Sequence, residues 1–428
     1  MRGIHALIIV LLQLGMRLAS GLGHVKARKA WRGRKGWAKR LIEAKCRAEQ
    51  NGKTRPWIHV HCASLGEYEQ AAPVIDALKR RAPSHPILLT FFSPSGIDAV
   101  PAFVADHVDY LPWDTAKAMR KFQAILRPSD TLLVKYELWP ELILSASKSG
   151  ANVHLFAARF DRKRHPTSHL GFWTRRHLRM LTTIQVQDES SAQVLQAYHL
   201  QSTVTGDPRL DRVLQTAREP HDIETARRLG QFKQWKGNRQ MLIVGSAWAR
   251  EWDALLPAFK TDQNSKWCFL VAPHEVNGPH IAVWSKQSAF PRTSLHQEGD
   301  IPASAGLLLD EVGLLKYAYS LGDIAVVGGG WEAGVHNTLE PAVFGLPIAT
   351  GPKVGGFREI QALAQRHALQ VCSDESELQN CLADWMNPRN ANDRSLAGQI
   401  AQKWVESHAG ATERIANAIA AHAAWEQT

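Results

Sequence analysis

Cysteine is scarce in this chain and widely scattered. The 428 residues contain five cysteines, at positions 46, 62, 268, 372 and 381. The number is odd, and no two of them form a C-x-x-C motif. A small disulfide-stapled protein or a zinc-ribbon protein would show paired cysteines at short spacing. The sequence indicates neither class, and a reducing cytoplasm is the natural compartment for scattered thiols.

Several catalytic motifs are missing as well. No G-x-x-x-x-G-K-[ST] loop, H-E-x-x-H helix or G-x-S-x-G elbow occurs, which argues against the ATPases, metalloproteases and serine hydrolases that use them. His165 and His169 lie four residues apart, but Pro166 opposes the regular helix that would bring their rings together. The sequence therefore predicts no bound metal and no cofactor.

Acidic residues are outnumbered by basic ones, 40 against 51, which gives a net charge of +11. Much of this excess follows an apolar N-terminal segment, Ile4 to Leu22, which is only marginally long enough to span a bilayer. Arg17 within it would be costly at the bilayer centre. The basic side chains that follow are Lys26, Arg28, Lys29, Arg32, Arg34, Lys35, Lys39 and Arg40, with Trp31 and Trp37 among them.

Cations mixed with tryptophan are typical of protein segments at the headgroups of an anionic, cytoplasm-facing leaflet. We therefore expect residues 1–25 to anchor the protein at the cytoplasmic face of the inner membrane, lying in or dipping into that leaflet. A buried helix followed by a solvated basic tail would give the same pattern. Nucleic acid could also use the charges, but no nucleic-acid-binding motif is present, so we expect no nucleic-acid partner.

After this segment, short apolar strands alternate with helices. Such alternation predicts parallel sheets covered on both faces, in an α/β fold. A polar stretch at 213–239 has little strand character and contains the expected linker, after which the pattern restarts. Residues 396–424 are expected to form one long helix. The predicted divisions are an anchor (1–25), an N-terminal Rossmann-like domain (26–215), a C-terminal Rossmann-like domain (216–403) and a C-terminal helix that could pack back on the N-terminal domain (404–428).

Acidic and basic side chains follow several predicted strands of the first half. Because parallel strands end at the same edge of a sheet, these side chains are candidates for substrate binding and catalysis. A carboxylate at the start of a helix, such as Glu67, is often only a favourable charge on the helix dipole. Arginines at strand ends are often only solvated. The candidates are Ser64, Gly66, Glu67, Glu137, Arg159 and Arg209.

The second half has a strand that runs into Gly328, Gly329 and Gly330 and then into a helix carrying Glu340. Glycines let backbone amides approach a phosphate, and an acid in the first turn can accept hydrogen bonds from ribose hydroxyls. His274 ends another strand of this half, and a structural hydrogen bond would explain it equally well. The strand ends Ser246 and Pro273 are expected at the same edge.

Taken together, these segments resemble the Kdo transferases, the 3-deoxy-D-manno-octulosonic acid transferases of lipopolysaccharide assembly. The resemblance covers nearly the whole chain. It rests on the S-x-G-E turn at Ser64–Glu67, Glu137-Leu138-Trp139-Pro140, Ala158-Arg159, Gly206 to Arg212, Gly245-Ser246, Ala272-Pro273, His336-Asn337-Thr338-Leu339-Glu340-Pro341, Gly351-Pro352 and Phe357-Arg358-Glu359-Ile360.

The resemblance implies a GT-B fold, with two doubly wound domains facing a central cleft. It also implies CMP-Kdo as the donor, a lipid A precursor as the acceptor, and an inverting reaction without a bound metal. Glu67 matches the family's general base. With the strand-end residues above, the expected CMP-binding set is Ser246, Pro273, His274, Val312, Gly313, Leu314, Gly329, Gly330, His336, Asn337, Thr338, Leu339 and Glu340.

Three positions depart from commoner members of the family: His274 stands where arginine is frequent, Trp248 stands where histidine is frequent, and Lys135-Tyr136 replaces a more acidic or hydroxyl-bearing pair. Other readings also stay open. A sugar-nucleotide epimerase or another GT-B glycosyltransferase would share the fold, and a catalytically silent membrane scaffold could keep the nucleotide site.

Overall fold

The computed structural model describes residues 2–100, 102–161, 171–259, 266–276, 278–294, 297, 299–423 and 425. His165 and His169 lie outside these residues. The chain divides into two compact units, the first formed by residues 1–212 and 409–428, and the second by residues 213–408. The N-terminal and C-terminal ends of the sequence thus belong to the same unit.

The first unit contains one seven-stranded parallel sheet with the order β3-β2-β1-β4-β5-β6-β7. Its strands are β1 Trp57–Cys62, β2 Ile87–Phe91, β3 His107–Tyr110, β4 Pro128–Val134, β5 Asn152–Ala158, β6 Thr183–Val186 and β7 Thr203–Val204. Its helices are α1 Arg2–Gly21, α2 Val25–Gly33, α3 Trp37–Gln50, α4 Leu65–Arg81, α5 Pro94–Ala99, α6 Ala116–Leu126, α7 Pro140–Lys148, α8 Gly171–Leu178, α9 Glu189–Gln196 and α10 Pro208–Arg218, the last of which runs into the second unit.

Both faces of this sheet are covered, which explains why its central strands are apolar along their whole length. The predicted buried parallel sheet is confirmed. On one face, Phe122 of α6 and Ile143 of α7 pack with Leu133 and Leu155 of the strands. On the other face, Val74 and Ile75 of α4 belong to a second buried cluster.

The second unit repeats the architecture with a sheet of order β10-β11-β9-β8-β12-β13-β14, again parallel. Its strands are β8 Gln240–Ala247, β9 Trp267–Pro273, β10 Arg292–Thr293, β11 Gly306–Leu309, β12 Ile324–Val327, β13 Ile348–Thr350 and β14 Leu369–Val371. Its helices are α11 Ile223–Lys236, α12 Ala249–Phe259, α13 Pro279–Ser288, α14 Leu315–Ala318, α15 Leu339–Val343, α16 Arg358–Ala364, α17 Glu375–Met386 and α18 Ala391–His408; α19 Ala411–Ala420 follows in the first unit.

The polar stretch at 213–239 contains no strand, as its sequence indicated, and it is largely helical, because α10 runs to Arg218 and α11 then buries Leu229 and Phe232. One prediction about helices is wrong. The expected single helix over 396–424 is two helices, α18 and α19. The break lies at Gly410, whose positive φ of 90° a glycine adopts without strain.

The end of the chain is held in the first unit by hydrogen bonds as well as by apolar packing. The carboxylate of Asp211 accepts the amide N–H groups of Gly410 and Thr412, the latter at 2.6 Å. Arg414 donates through Nε to the backbone oxygen of Thr205 at 2.9 Å. Ile415 of α19 is fully buried beside α4. Helix α19 is therefore a core element of this unit.

Two members of the N-terminal basic run, Arg34 and Arg40, are bound to other parts of the first unit and are not simply solvated. Arg34 is only 4% exposed, and its guanidinium donates to three backbone oxygens while contacting three aromatic rings. Burial lowers the pKa of Arg34 to about 10. Arg40 donates to both carboxylate oxygens of Asp109, at 2.9 and 2.7 Å. The Arg34 and Arg40 side chains therefore stabilise the packing of the N-terminal helices against the sheet of the first unit.

Candidate active site

The candidate residues of the first unit all follow the carboxyl ends of neighbouring strands. Glu67 comes after β1, Glu137 after β4, Arg159 after β5 and Arg209 after β7. Strands β1, β4 and β5 are adjacent in the sheet, and β6 and β7 continue it. The parallel arrangement therefore brings these polar side chains to one edge, which is where open α/β sheets bind ligands.

Glu67 is positioned by the first turn of α4. Ser64 has an extended backbone (φ −148°) and is the residue before the helix, and Glu67 is the third residue within it. The Ser64 hydroxyl donates to Oε2 of Glu67. Gly66 is exposed between them. The Glu67 carboxylate is therefore held by the side chain of the residue that precedes α4. It lies at the N-terminal end of this helix, where the helix dipole favours negative charge.

Glu137 is the most strongly perturbed acid at this edge. Its pKa is raised from 4.5 to about 7, chiefly by burial and also by the nearby Glu67 charge. The indole Nε1–H of Trp139 donates to Oε2 of Glu137 at 2.7 Å and partly offsets this rise. Near neutral pH the Glu137 carboxyl group is therefore protonated in about half of the molecules.

Lys135 lies in the same cluster. Its backbone has a positive φ of 63°, which is unusual for a residue other than glycine and places it at the tight end of β4. Burial lowers the pKa of its ammonium group, whereas the Glu67 carboxylate raises it. Arg209 and Arg159 also influence Lys135, in the lowering direction. The edge thus combines acidic and basic groups that influence one another electrostatically.

The two arginines of this edge are oriented by aspartates. Arg209 donates through Nε and Nη2 to Oδ2 of Asp207, at 2.9 and 2.6 Å. Nε of Arg159 lies 3.9 Å from Oδ2 of Asp188. The alternative that these arginines are merely solvated does not hold for Arg209, because its two hydrogen bonds to Asp207 fix its guanidinium plane.

The glycine loop of the second unit, Gly328–Gly330, packs closely against neighbouring backbone, as the sequence suggests. The Gly329 amide, however, is not available to a phosphate. A Cβ on Gly328 would lie 2.2 Å from the Ser246 oxygen, and one on Gly330 would lie 2.5 Å from the Gly351 nitrogen. The Gly329 N–H donates to Oε1 of Glu251 at 2.8 Å. That amide is therefore bound inside the protein and is not directed at a ligand.

Glu251 is a residue that our sequence reading missed. It is the third residue of α12, and its other carboxylate oxygen accepts the amide N–H of Trp248 at 3.1 Å. Burial raises its pKa, and the amide donors counteract the rise. The contact with the Trp248 amide is the glutamate half of a helix-capping box, but Trp248 stands where the sequence signature requires serine or threonine. Glu251 joins the β8 turn to the glycine loop.

Three rings lie side by side at this edge of the second unit. Trp248, which follows β8, lies parallel to His274, which follows β9, with ring centres 4.3 Å apart. His274 in turn lies 4.6 Å from His336. Burial lowers the pKa of His336, and the neighbouring His274 lowers it further. His336 therefore favours its neutral form, and its ring lies beside that of His274.

The Asn337–Glu340 segment begins α15 with a local hydrogen-bond pattern. Asn337 accepts the amide of Leu339 through Oδ1 at 3.1 Å and donates through Nδ2 to Oε1 of Glu340 at 3.1 Å. Two expected contact residues are buried: Thr338 and Leu339 are each 1% exposed. Only Asn337 and Glu340 can therefore offer side chains in this segment.

The Val312–Leu314 turn follows β11 and also contains both exposed and buried residues. Val312 is 81% exposed, while Leu314 is 3% exposed and belongs to the core. Gly313 between them has a positive φ of 101°. This turn can present the backbone and Val312, but not the side chain of Leu314. Ser246 is partly exposed, and Pro273 is buried as the last residue of β9.

A metal centre was not expected, and the described residues contain no cluster of three or more His, Cys, Asp or Glu side chains that could hold a metal ion.

Comparison with known proteins identifies the class first. The chain is similar to UDP-GlcNAc 2-epimerase from Neisseria meningitidis (TM-score 0.62, 13% identity, 86% of this chain and 100% of the other). It is also similar to MurG from Acinetobacter baumannii (TM-score 0.53, 13% identity, 86% and 100%). At these identities the likeness concerns the fold, which is the GT-B fold of glycosyltransferases. The predicted fold class is confirmed.

Comparison of the sequence shows a resemblance to one family. Residues 29–212 match the family described as 3-Deoxy-D-manno-octulosonic-acid transferase (kdotransferase). The chain is 28% identical to the 3-deoxy-D-manno-octulosonic acid transferase of Bordetella pertussis (85% of this chain, 86% of the relative) and 27% identical to that of Haemophilus influenzae (84% and 85%). The resemblance to the Kdo transferase family is confirmed.

Proposed function

We propose that this protein transfers Kdo from CMP-Kdo to a lipid A precursor, at the cytoplasmic face of the inner membrane, in lipopolysaccharide assembly. The observation that carries the proposal is the placement of Glu67. It lies at the N-terminal turn of α4, at the carboxyl edge of the first sheet, with its carboxylate held by Ser64. The relatives named above support Kdo as the transferred sugar.

In the proposed reaction, Glu67 is the general base. A sugar hydroxyl of the acceptor forms a bond to the anomeric carbon of Kdo while its proton passes to the Glu67 carboxylate. The bond between that carbon and the CMP phosphate breaks, and CMP leaves as an anion. Attack from the face opposite the leaving group inverts the anomeric centre. Lys135 and Arg209, which lie in the Glu67 cluster, are suited to the phosphates of the acceptor.

The second unit is the proposed donor site. Glu340, held by Asn337, would accept hydrogen bonds from the ribose hydroxyls of CMP. His274 and His336 lie side by side at the same sheet edge and would contact its phosphate. No metal ion takes part in the proposal, so charge on the leaving phosphate would be met by hydrogen-bond donors of the protein.

The test compares Glu67→Gln with Glu69→Gln in a transfer assay. CMP-Kdo and a lipid A precursor are supplied, and the mass of the lipid product is measured by mass spectrometry. Glu69 is on the same helix, but its side chain is 46% exposed and lies 3.9 Å from Arg212, so its variant controls for general damage. We expect Glu67→Gln to bind CMP normally and to lose transfer by a factor of roughly 10²–10⁴. Near-normal turnover by Glu67→Gln would remove this residue from the role.

The same assay separates the alternatives. A sugar-nucleotide epimerase would convert a UDP-sugar and leave the lipid mass unchanged. A silent scaffold would bind CMP without forming any product. A mass increase of whole Kdo units on the lipid, seen with CMP-Kdo and absent with UDP-sugars, is the outcome that the proposal requires.

A further inference from the structure

Helix α1 is long and apolar enough to cross a membrane by its length and composition. Its N-terminal end, however, is attached to the body of the first unit. Nε2 of His5 lies 2.8 Å from Oδ2 of Asp114 and 3.1 Å from the backbone oxygen of Asp114. Both partners are acceptors, so Nε2 carries the proton. One turn later, Ile9 is 3% exposed.

Asp114 is itself a fixed point of the fold. It is 1% exposed, and its carboxylate accepts the amide N–H groups of Glu141 and Leu142 at the start of α7, at 3.2 and 2.8 Å. The contact with His5 is therefore made to the core of the unit and not to a mobile surface side chain.

The other end of the segment returns to the same place. Helix α2 follows α1 after a short turn and packs against it. At its end, the Arg34 guanidinium donates to the backbone oxygen of Leu111 at 3.0 Å and lies 4.7 Å from the Trp113 ring centre. Residues 111–114 thus hold both Arg34 and His5.

A helix that crosses a bilayer has its two ends on opposite sides of it. Here the chain leaves residues 111–114 at His5 and comes back to them at Arg34. The helical stretch from His5 to Gly21 is only about 24 Å long at ~1.5 Å per residue, shorter than the ~30 Å hydrocarbon layer. The α1–α2 pair is therefore a hairpin that approaches any membrane from one side.

The surface of this hairpin suits an anionic lipid interface. Most of α1 outside the narrow stripe of His5 and Ile9 is exposed and apolar, including Leu7 (57%), Leu11 (58%) and Leu18 (67%). No acidic residue occurs before Glu43. Exposed cations follow on α2 and α3, and each contributes ~1 kcal/mol at an anionic surface. They are Lys26, Arg28, Lys29, Arg32, Lys35 and Lys39.

We propose that the α1–α2 hairpin inserts into one leaflet of an anionic membrane from the side of the protein body, without crossing it. Its apolar face enters the acyl layer and its basic residues meet the lipid phosphates. This inference rests on the membrane location proposed above and adds the topology to it.

The first test locates the N-terminus with a membrane-impermeant maleimide. Gly3 has open space around its Cα, so Gly3→Cys is tolerated. In a Cys46→Ser background it reports the start of α1, while the exposed native Cys46 reports the body. Inside-out and right-side-out vesicles from cells that make the full chain are compared.

We expect Gly3→Cys and Cys46 to be labelled from the same side, in inside-out vesicles only. Labelling from opposite sides would overturn the proposed topology while leaving the membrane location intact. Absence of the protein from the membrane fraction would instead overturn the membrane location, and with it the proposal.

The second test measures flotation of the purified chain with vesicles of 70% phosphatidylcholine and 30% phosphatidylglycerol. Leu11→Glu should weaken binding at least tenfold, since it places a charge in the acyl layer. Ile223→Glu, at an apolar position that is 90% exposed on α11, is the matched control and should bind as the wild type does. Equal binding by all three proteins, or a dimer in solution that Leu11→Glu disrupts, would contradict a lipid partner.

Discussion

At pH 8 the Glu137→Gln variant should be more heat-stable than the wild type, and at pH 5 the two should be nearly equal. The pKa of Glu137 is raised by burial from 4.5 to about 7. The native state therefore holds this proton more tightly than the unfolded chain, so wild-type stability falls as pH rises from about 4.5 to 7 and stays lower above that. Glutamine has nearly the shape of the protonated acid and is never ionised.

The size of the effect follows from the shift. A rise of ~2.5 pKa units at ~1.4 kcal/mol each is about 3.5 kcal/mol, and the partial exposure of Glu137 reduces this to ~1–3 kcal/mol. For a unit of this size, that corresponds to roughly 3–9 °C in Tm. Calorimetric scans of both proteins at pH 5 and pH 8 measure it.

The partner of Glu137 provides a second variant. Trp139→Phe removes the indole donor that favours the ionised carboxylate. We expect this variant to lose more stability than the wild type between pH 5 and pH 8. If the Tm difference between wild type and Glu137→Gln is the same at both pH values, the argument that Glu137 is a buried, readily protonated acid is refuted.

Three further predictions concern stability. Arg34→Met should cost ~3 kcal/mol, because it leaves buried backbone oxygens without their donor, and urea unfolding measures this. Gly330→Ala should lower Tm by several degrees, since its Cβ would meet backbone at 2.5 Å, whereas Gly230→Ala, at an exposed position of α11, should raise stability by up to ~1 kcal/mol. Asp211→Ala should release α19 and expose the C-terminal segment to limited proteolysis; unchanged cleavage would show that this carboxylate is dispensable.

Much of the fold was predictable because the strands are short apolar runs. Strand β11, for example, consists of one glycine followed by three buried leucines. Helices whose buried face contains both polar and apolar residues were not predicted. Helix α11 buries Thr225, Arg228, Leu229 and Phe232, which have helical spacing, but two of the four are polar. The two-residue strand β10 carries too little pattern to be recognised.

The candidate site was predicted less completely than the fold. The sequence placed Glu67 and Glu137 at strand ends, and the structure brings them into one electrostatic cluster. It did not reveal that the Gly329 amide is taken by Glu251, because that contact joins residues 78 positions apart. The stacking of Trp248 on His274 likewise depends on the register of two neighbouring strands. Contacts of this kind follow from tertiary packing and not from local pattern.

The position of α19 has a consequence for the order in which the protein can be built. The first unit needs Ile415 and its neighbours to cover one face of its sheet, yet these residues are synthesised after the whole second unit. On the ribosome, the second unit can complete its core while the first still lacks a helix and exposes apolar surface beside α4. A gene fragment that stops at residue 212 should therefore give aggregated protein, whereas a fragment of residues 213–408 retains every strand of its own sheet.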